Sequence, residues 1–243
     1  MGAGIVADSM LDLRPGVVTR LRGRSYRHLT PTYLYWRAKL FAVSTLHPTY
    51  PSLTLDSIRL LERWLQPSHV GVEWGAGNST GWFAERTAHL TSFESGPDYY
   101  AVVRDNLASR GLTNVDLQFV PFEPVPSEQA NHEHEWMQRA YALADGSLDY
   151  ALIDSAPRAC LCRTVVSKLR SGGLLILDNA NWYFPPPADL RPFPVGSIAV
   201  PAGFPESRDP GNVCTPAFLR DTAEWRRTWT SDGVTATLVM FKP

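Results

Sequence analysis

The chain has 243 residues, 44% hydrophobic and 19% charged, with 23 basic residues against 24 acidic ones. A length of this order fits one α/β domain with additions, and a net charge of -1 argues against nucleic acid, whose phosphates are met by a basic excess. No run approaches the ~18 apolar residues of a membrane helix, and Asp8 and Asp12 stand where a signal peptide needs an apolar core, so a cytoplasmic protein without stable membrane insertion is expected.

Five arginines (Arg14, Arg20, Arg22, Arg24 and Arg27) lead into PTYLYWRAKLFAVSTL at 31–46. Pro31 suits a first helical position, but apolar residues cover nearly the whole circumference, so no single buried face is expected. Packing on the domain, a homodimer contact, a lid over substrate and contact with a membrane surface all stay open for this segment.

From residue 54 the punctuation alternates helix with strand. Thr54 can cap a helix whose Leu55, Ile58, Leu61, Trp64 and Leu65 recur at helical spacing until Pro67. VGVEW (70–74) reads as a strand, followed by a glycine turn and a helix to about His89. LTSFE (90–94) is a second strand, and Pro97 opens a helix that Gly111 can end. VDLQFV (115–120), LDYALID (148–154) and GLLILD (173–178) are three more, with a helix from Pro157 to about Arg170 before the last. Short apolar strands separated by helices predict a mainly parallel, doubly wound sheet covered on both faces. The terminal WRRTWTSDGVTATLVMFKP adds an antiparallel hairpin around Ser231, Asp232 and Gly233.

Two other features have bland readings, and a third does not. Cys160, Cys162 and Cys214 are odd in number and lack a CxxC spacing, which suits buried reduced thiols and gives no zinc framework. His132-Glu133-His134-Glu135 is dense in metal-ligand types, but residues two apart on a helix point about 200° apart, so His132 and His134 would not chelate one ion, and the run reads as a solvated helix face with Trp136 and Tyr141 turned inward. Nine of the 20 prolines fall between residues 185 and 216. They stiffen an insertion at about 181–214, expected to be an ordered wall or cap over a small-molecule substrate, with Trp182, Tyr183, Phe184 and Phe193 as contacts.

The first strand runs into Glu73-Trp74-Gly75-Ala76-Gly77-Asn78-Ser79-Thr80. Such a turn lets backbone N–H groups approach a ligand at a helix N-terminus. A dinucleotide fingerprint wants glycine where Thr80 stands, and no Walker lysine follows. Glu94 ends the next strand 17 residues beyond Gly77, the place from which an acid reaches a ribose diol.

These residues resemble the class I S-adenosylmethionine-dependent methyltransferases, and VEWGAGNSTGWFAE is similar to bacterial small-molecule members with an E-[FW]-G-[AS]-G-x-S-T pattern. Ser79 replaces their usual third glycine. The resemblance implies a Rossmann-like methyltransferase domain over 54–243 after an N-terminal helical or lid segment (1–53). It implies S-adenosylmethionine as cofactor, its methionine part against Gly75, Ala76, Gly77, Asn78, Ser79 and Thr80, and its ribose at Glu94 beside Ser95. Glu73 and Asp154 are further cofactor candidates, and residues near Phe122 and Glu123 border the adenine.

Asp154 ends the fourth strand, and Asp178 with Asn179 ends the fifth, on one carboxyl edge. Three oxygen ligands there suit Mg²⁺. Catechol O-methyltransferase and its relatives carry the same arrangement, and the match implies Asp154, Asp178 and Asn179 as metal ligands. Those relatives often place a lysine base where this chain has Pro157, followed by Arg158, which cannot serve as a base. The expected reaction is O-methylation of a natural product or sugar, with Asp154, His47 or Tyr50 taking the proton in the absence of metal. His28 is a further candidate base, and Tyr50 also a substrate contact. An NAD-dependent oxidoreductase and a non-catalytic cofactor-binding protein are the competing classes.

Overall fold

The computed structural model describes residues 31–122, 133–184, 186–192 and 214–243. The Arg-rich start, His28, Glu123, His132, Phe193 and most of the proline-rich insertion lie outside them. Strands β1 (Val70–Trp74), β2 (His89–Glu94), β3 (Val115–Phe119), β4 (Leu148–Ile153) and β5 (Leu169–Leu177) pair in parallel. The predicted hairpin is β6 (Arg226–Ser231) and β7 (Ala236–Phe241), with β7 antiparallel to β5. The order is β3-β2-β1-β4-β5-β7-β6. Chain direction across the sheet reverses between β1 and β4, so a crevice opens at the carboxyl ends of these two strands.

Period-two alternation splits the strand residues between two cores. On one face Tyr150 and Leu152 meet Ile58 and Leu61 of α2 (Leu55–Trp64) and Trp82 and Phe83 of α3 (Asn78–Ala84). On the other, Ala151 and Ile153 meet Met137 of α5 (Glu135–Ala142), Val165 of α6 (Arg158–Lys168) and Phe218 of α7 (Cys214–Asp221). Helix α4 (Pro97–Ser109) covers β3 through Val103 and Leu107.

The first described helix, α1 (Pro31–Leu46), buries none of its residues, and its all-round apolar pattern gives no single face to pack on the domain. Its Trp36 lies over the hairpin turn, where a Cβ on Gly233 would come within 2.4 Å of the indole. No helix among the described residues is long and apolar enough to cross a membrane.

Several local expectations are corrected. Helix α3 stops at Ala84 instead of continuing to His89, because the Asn114 side-chain amide donates to the Ala84 and Thr87 carbonyls (2.8 and 2.9 Å) and captures the chain there. Strand β5 starts at Leu169, four residues early, as backbone bonds between Gly172, Gly173 and Lys242 extend its pairing. His134 caps α5, its Nδ1 accepting from the Trp136 N–H, and Trp136 is buried, but Tyr141 is 39% exposed and not turned inward. The cysteines are buried as expected, yet only Cys162 is a free thiol. Cys160 and Cys214 form a disulfide joining α6 to α7, a proximity that spacing along the chain does not reveal.

Candidate active site

The turn after β1 is built by its own hydrogen bonds. Gly75 donates to the Phe93 carbonyl (2.9 Å), Ala76 N–H bonds the Glu94 carboxylate, and Gly77 N–H donates to Thr80 Oγ1 (2.9 Å). Gly75 has φ +94°, and a Cβ there would lie 2.9 Å from the Asp154 carbonyl oxygen, so both conformation and space call for glycine. The N–H groups of Gly75, Ala76 and Gly77 are therefore already bonded within the protein.

Carboxylates take their place. Glu73, fully buried, accepts from Thr80 Oγ1 (2.6 Å) and Ser92 Oγ (2.7 Å) through Oε2. Burial pushes its carboxyl up to about 7 against the pull of the Ser79, Thr80 and Ser92 hydroxyls, and the charge of Asp154 adds to the rise. Glu94 accepts from the N–H groups of Ser95 (2.9 Å) and Gly96 (2.7 Å) through Oε1, and burial raises it as well. Asp154 continues from β4, its N–H bonded to the Trp74 carbonyl (2.9 Å), so the ends of β1 and β4 are locked together.

Around this centre the expected residues divide. The side chain of Asn78 donates to the Pro48 carbonyl (3.1 Å), drawing the turn that carries His47 and Tyr50 against the start of α3. The His47 and Tyr50 rings stack at 4.5 Å. Phe122 stacks on Trp136 (5.6 Å). Trp182 and Tyr183 are part-buried, but Phe184 is only 4% exposed and packs against Phe218.

The expected metal triad does not fit a divalent ion. Asp178 is 3% exposed, and its carboxylate accepts from Thr237 Oγ1 (3.2 Å) and Asn179 Nδ2 (2.8 Å). Asn179 turns its N–H₂ group inward, donating also to Thr235 Oγ1 (2.9 Å). Asp154 is bonded by the Arg158 guanidinium through Nη2 (2.8 Å). No group of three or more His, Cys, Asp or Glu side chains able to hold a metal occurs among the described residues.

Two neighbours are not singled out by the sequence as part of the site. Tyr99, on the first turn of α4, brings its hydroxyl to 3.3 Å from where a Gly77 Cβ would be. Burial raises its phenol, and the charges of Glu94, Asp154 and Glu73 raise it further. Its place two residues after Pro97, just past Glu94, is the sequence signal that points to it. Arg158 stands out in the sequence only as a group unable to be a base, and its reach to Asp178 depends on strand adjacency.

No protein-family model matches the chain, and no curated protein matches it. Solved structures do. A methyltransferase from Geobacter sulfurreducens is 18% identical, the match covering 95% of this chain and 96% of that one, with a TM-score of 0.50. A candidate caffeoyl-CoA O-methyltransferase from Staphylococcus aureus is 16% identical over 90% of this chain and 95% of its own, with a TM-score of 0.52. The shared feature is the fold, the Rossmann-like class I methyltransferase architecture with its antiparallel C-terminal strands.

Proposed function

We propose that this chain is an S-adenosylmethionine-dependent methyltransferase that methylates a hydroxyl of a small molecule, a natural product or a sugar. The observation that carries the cofactor assignment is the charge of the crevice. Glu94 and Asp154 stand at the turn with Glu73 buried behind it, and the Gly75, Ala76 and Gly77 N–H groups are bonded within the protein. Acids at such a rim attract a cationic ligand with a diol and repel the pyrophosphate of a nicotinamide dinucleotide.

The residues fit the cofactor, because Gly75 lets the turn pack closely against Asp154 at the end of β4 and an acid ends the neighbouring strand. When bound, S-adenosylmethionine supplies an electrophilic methyl group on a sulfonium. Gly75 to Thr80 would back its methionine part, and Glu94, fixed by three backbone N–H groups, would accept from the ribose hydroxyls. Asp154, at the same rim, would take a hydrogen bond from the acceptor hydroxyl and orient its lone pair, and His47, on the turn tied to Asn78, would be the other proton acceptor. Trp182, Tyr183 and Tyr50 would flank the acceptor and exclude water. Alignment at about 3–3.5 Å supplies most of the rate in such a displacement.

The experiment is calorimetry with S-adenosylhomocysteine. The full chain is expected to bind it and to ignore NAD, and Glu94→Ala is expected to weaken binding at least tenfold, as charge-assisted ribose bonds are lost. Binding of NAD alone would replace this reading with the oxidoreductase, and unchanged affinity in Glu94→Ala would remove Glu94 from the site. Transfer of a labelled methyl group to alcohols and phenols, and not to their O-blocked analogues, tests the acceptor class.

A further inference from the structure

The ends of β4 and β5 are bridged by one cation that belongs to the chain. Arg158 is the first residue of α6, a position where the helix dipole disfavours positive charge. It is nonetheless buried, its side chain 9% exposed against 32% for Asp154. Nη2 donates to Asp154 Oδ1 (2.8 Å) and to the Asp154 carbonyl (3.2 Å), and Nη1 donates to the Asp178 carbonyl. The Tyr183 ring lies 5.3 Å from the guanidinium carbon. A planar fork thus ties both strand ends to Tyr183 beyond β5, and a carboxylate and two carbonyls are among the groups that compensate its charge.

We propose that Arg158 is the built-in cation of the acceptor rim, standing where a divalent ion would otherwise be held and fixing Asp154 at the mouth of the crevice. Mg²⁺ demands an octahedron of oxygens at about 2.0–2.1 Å. Here Asp154 Oδ1 and the Asp178 carbonyl are aimed at guanidinium N–H groups. The Asp178 carboxylate is bonded by Thr237 and Asn179, and Asn179 presents donors in place of its carbonyl. An ion placed among these groups would meet the guanidinium charge at contact distance, and a guanidinium cannot shed its proton to make room. Arg158 is a positioning residue, acting on the acceptor through Asp154. That last role rests on the methyltransferase reading, whereas the exclusion of the ion rests on geometry alone.

The test uses Mn²⁺ as probe on the full chain, following the free ion by electron paramagnetic resonance with and without S-adenosylhomocysteine. Wild type is expected to show no Mn²⁺ site that Asp154→Asn removes. Arg158→Met, which leaves the oxygens without their cation, is expected to acquire an Asp154-dependent site at least tenfold tighter. Arg158→Lys keeps the charge and is expected to stay blind to Mn²⁺, which preserves the test if the Met variant does not fold. An Asp154-dependent Mn²⁺ site in wild type or in Arg158→Lys overturns the proposal, as does a folded Arg158→Met that binds no better than wild type. Calorimetry on the same samples separates the two claims: a chain that binds no S-adenosylhomocysteine loses the methyltransferase reading, while the Mn²⁺ result still decides Arg158.

Discussion

Thr80 joins Glu73 to the glycine turn: its hydroxyl donates to Glu73 Oε2 at 2.6 Å and accepts the Gly77 N–H at 2.9 Å. One buried side chain therefore sets both the first acid and the backbone that faces the crevice. Thr80→Val keeps the shape and removes both bonds. It is expected to cost about 1–3 kcal/mol of stability, the penalty for buried polar groups left unpaired. S-adenosylhomocysteine affinity should fall with it. Urea unfolding and calorimetry read the two effects, and a variant as stable as wild type would show that Thr80 does not organise the turn.

Glu73 gives a pH dependence whose sign is fixed. Its carboxyl lies at about 7 in the folded chain against an ordinary 4.5, chiefly through burial. Below about pH 4.5 folded and unfolded chains both hold the proton, and the contribution is complete. As pH rises towards 7 the unfolded chain ionises first, and the folded chain must then bury the charge. Each tenfold difference in proton affinity between the two states is worth ~1.4 kcal/mol, so from pH 4 to pH 8 wild type is expected to lose up to about 3 kcal/mol relative to Glu73→Gln. Urea midpoints of both proteins at the two pH values measure it, and a constant difference would show that burial does not perturb this carboxyl.

The strands were legible because each is a short apolar run closed by glycine, proline or an acid at the carboxyl edge, as VGVEW and LTSFE are. What blurred β5 was the Gly172-Gly173 pair, which reads as a break but pairs with Lys242 near the chain terminus. The acids Glu73, Glu94 and Asp154 could be found because each ends a strand. Arg158 could not, because it also reaches a backbone carbonyl 20 residues on, brought close only by β4 pairing with β5. The same holds for Thr235 and Thr237, which the hairpin carries to Asn179 and Asp178.

The Cys160–Cys214 pair closes 54 residues of chain, including the whole proline-rich insertion. In the chain-entropy account, a loop of that length is stabilised by about 4 kcal/mol on cross-linking, with native examples at roughly 2–5. Cys214→Ala is expected to lower stability within that range. Dithiothreitol should bring wild type to the same level and leave the variant unchanged. Cys162, fully buried with its thiol pushed up to about 12 by desolvation, should stay unlabelled by iodoacetamide in the folded chain. Mass spectrometry after alkylation without reductant reads both, and two labelled cysteines in folded wild type would contradict the pairing.

The seat of α1 depends on Gly233. Its φ is +85°, and a Cβ would stand 2.4 Å from the Trp36 indole, so alanine brings both backbone strain and a collision. Asp232 beside it holds the turn by accepting from Val234 and Thr235 N–H (2.8 Å each), and burial raises its carboxyl against these bonds and the charge of Arg37 on α1. These bonds keep the turn in place when the indole is displaced, so the loss falls on α1, which has no buried residue of its own. Gly233→Ala is expected to expose Arg37 and Lys39 to trypsin at least several-fold faster while the far-UV signal of the sheet persists. Trp36→Ala removes the contact without backbone strain and should be cleaved comparably fast. Equal protection of α1 in wild type and both variants would show that the helix is held elsewhere.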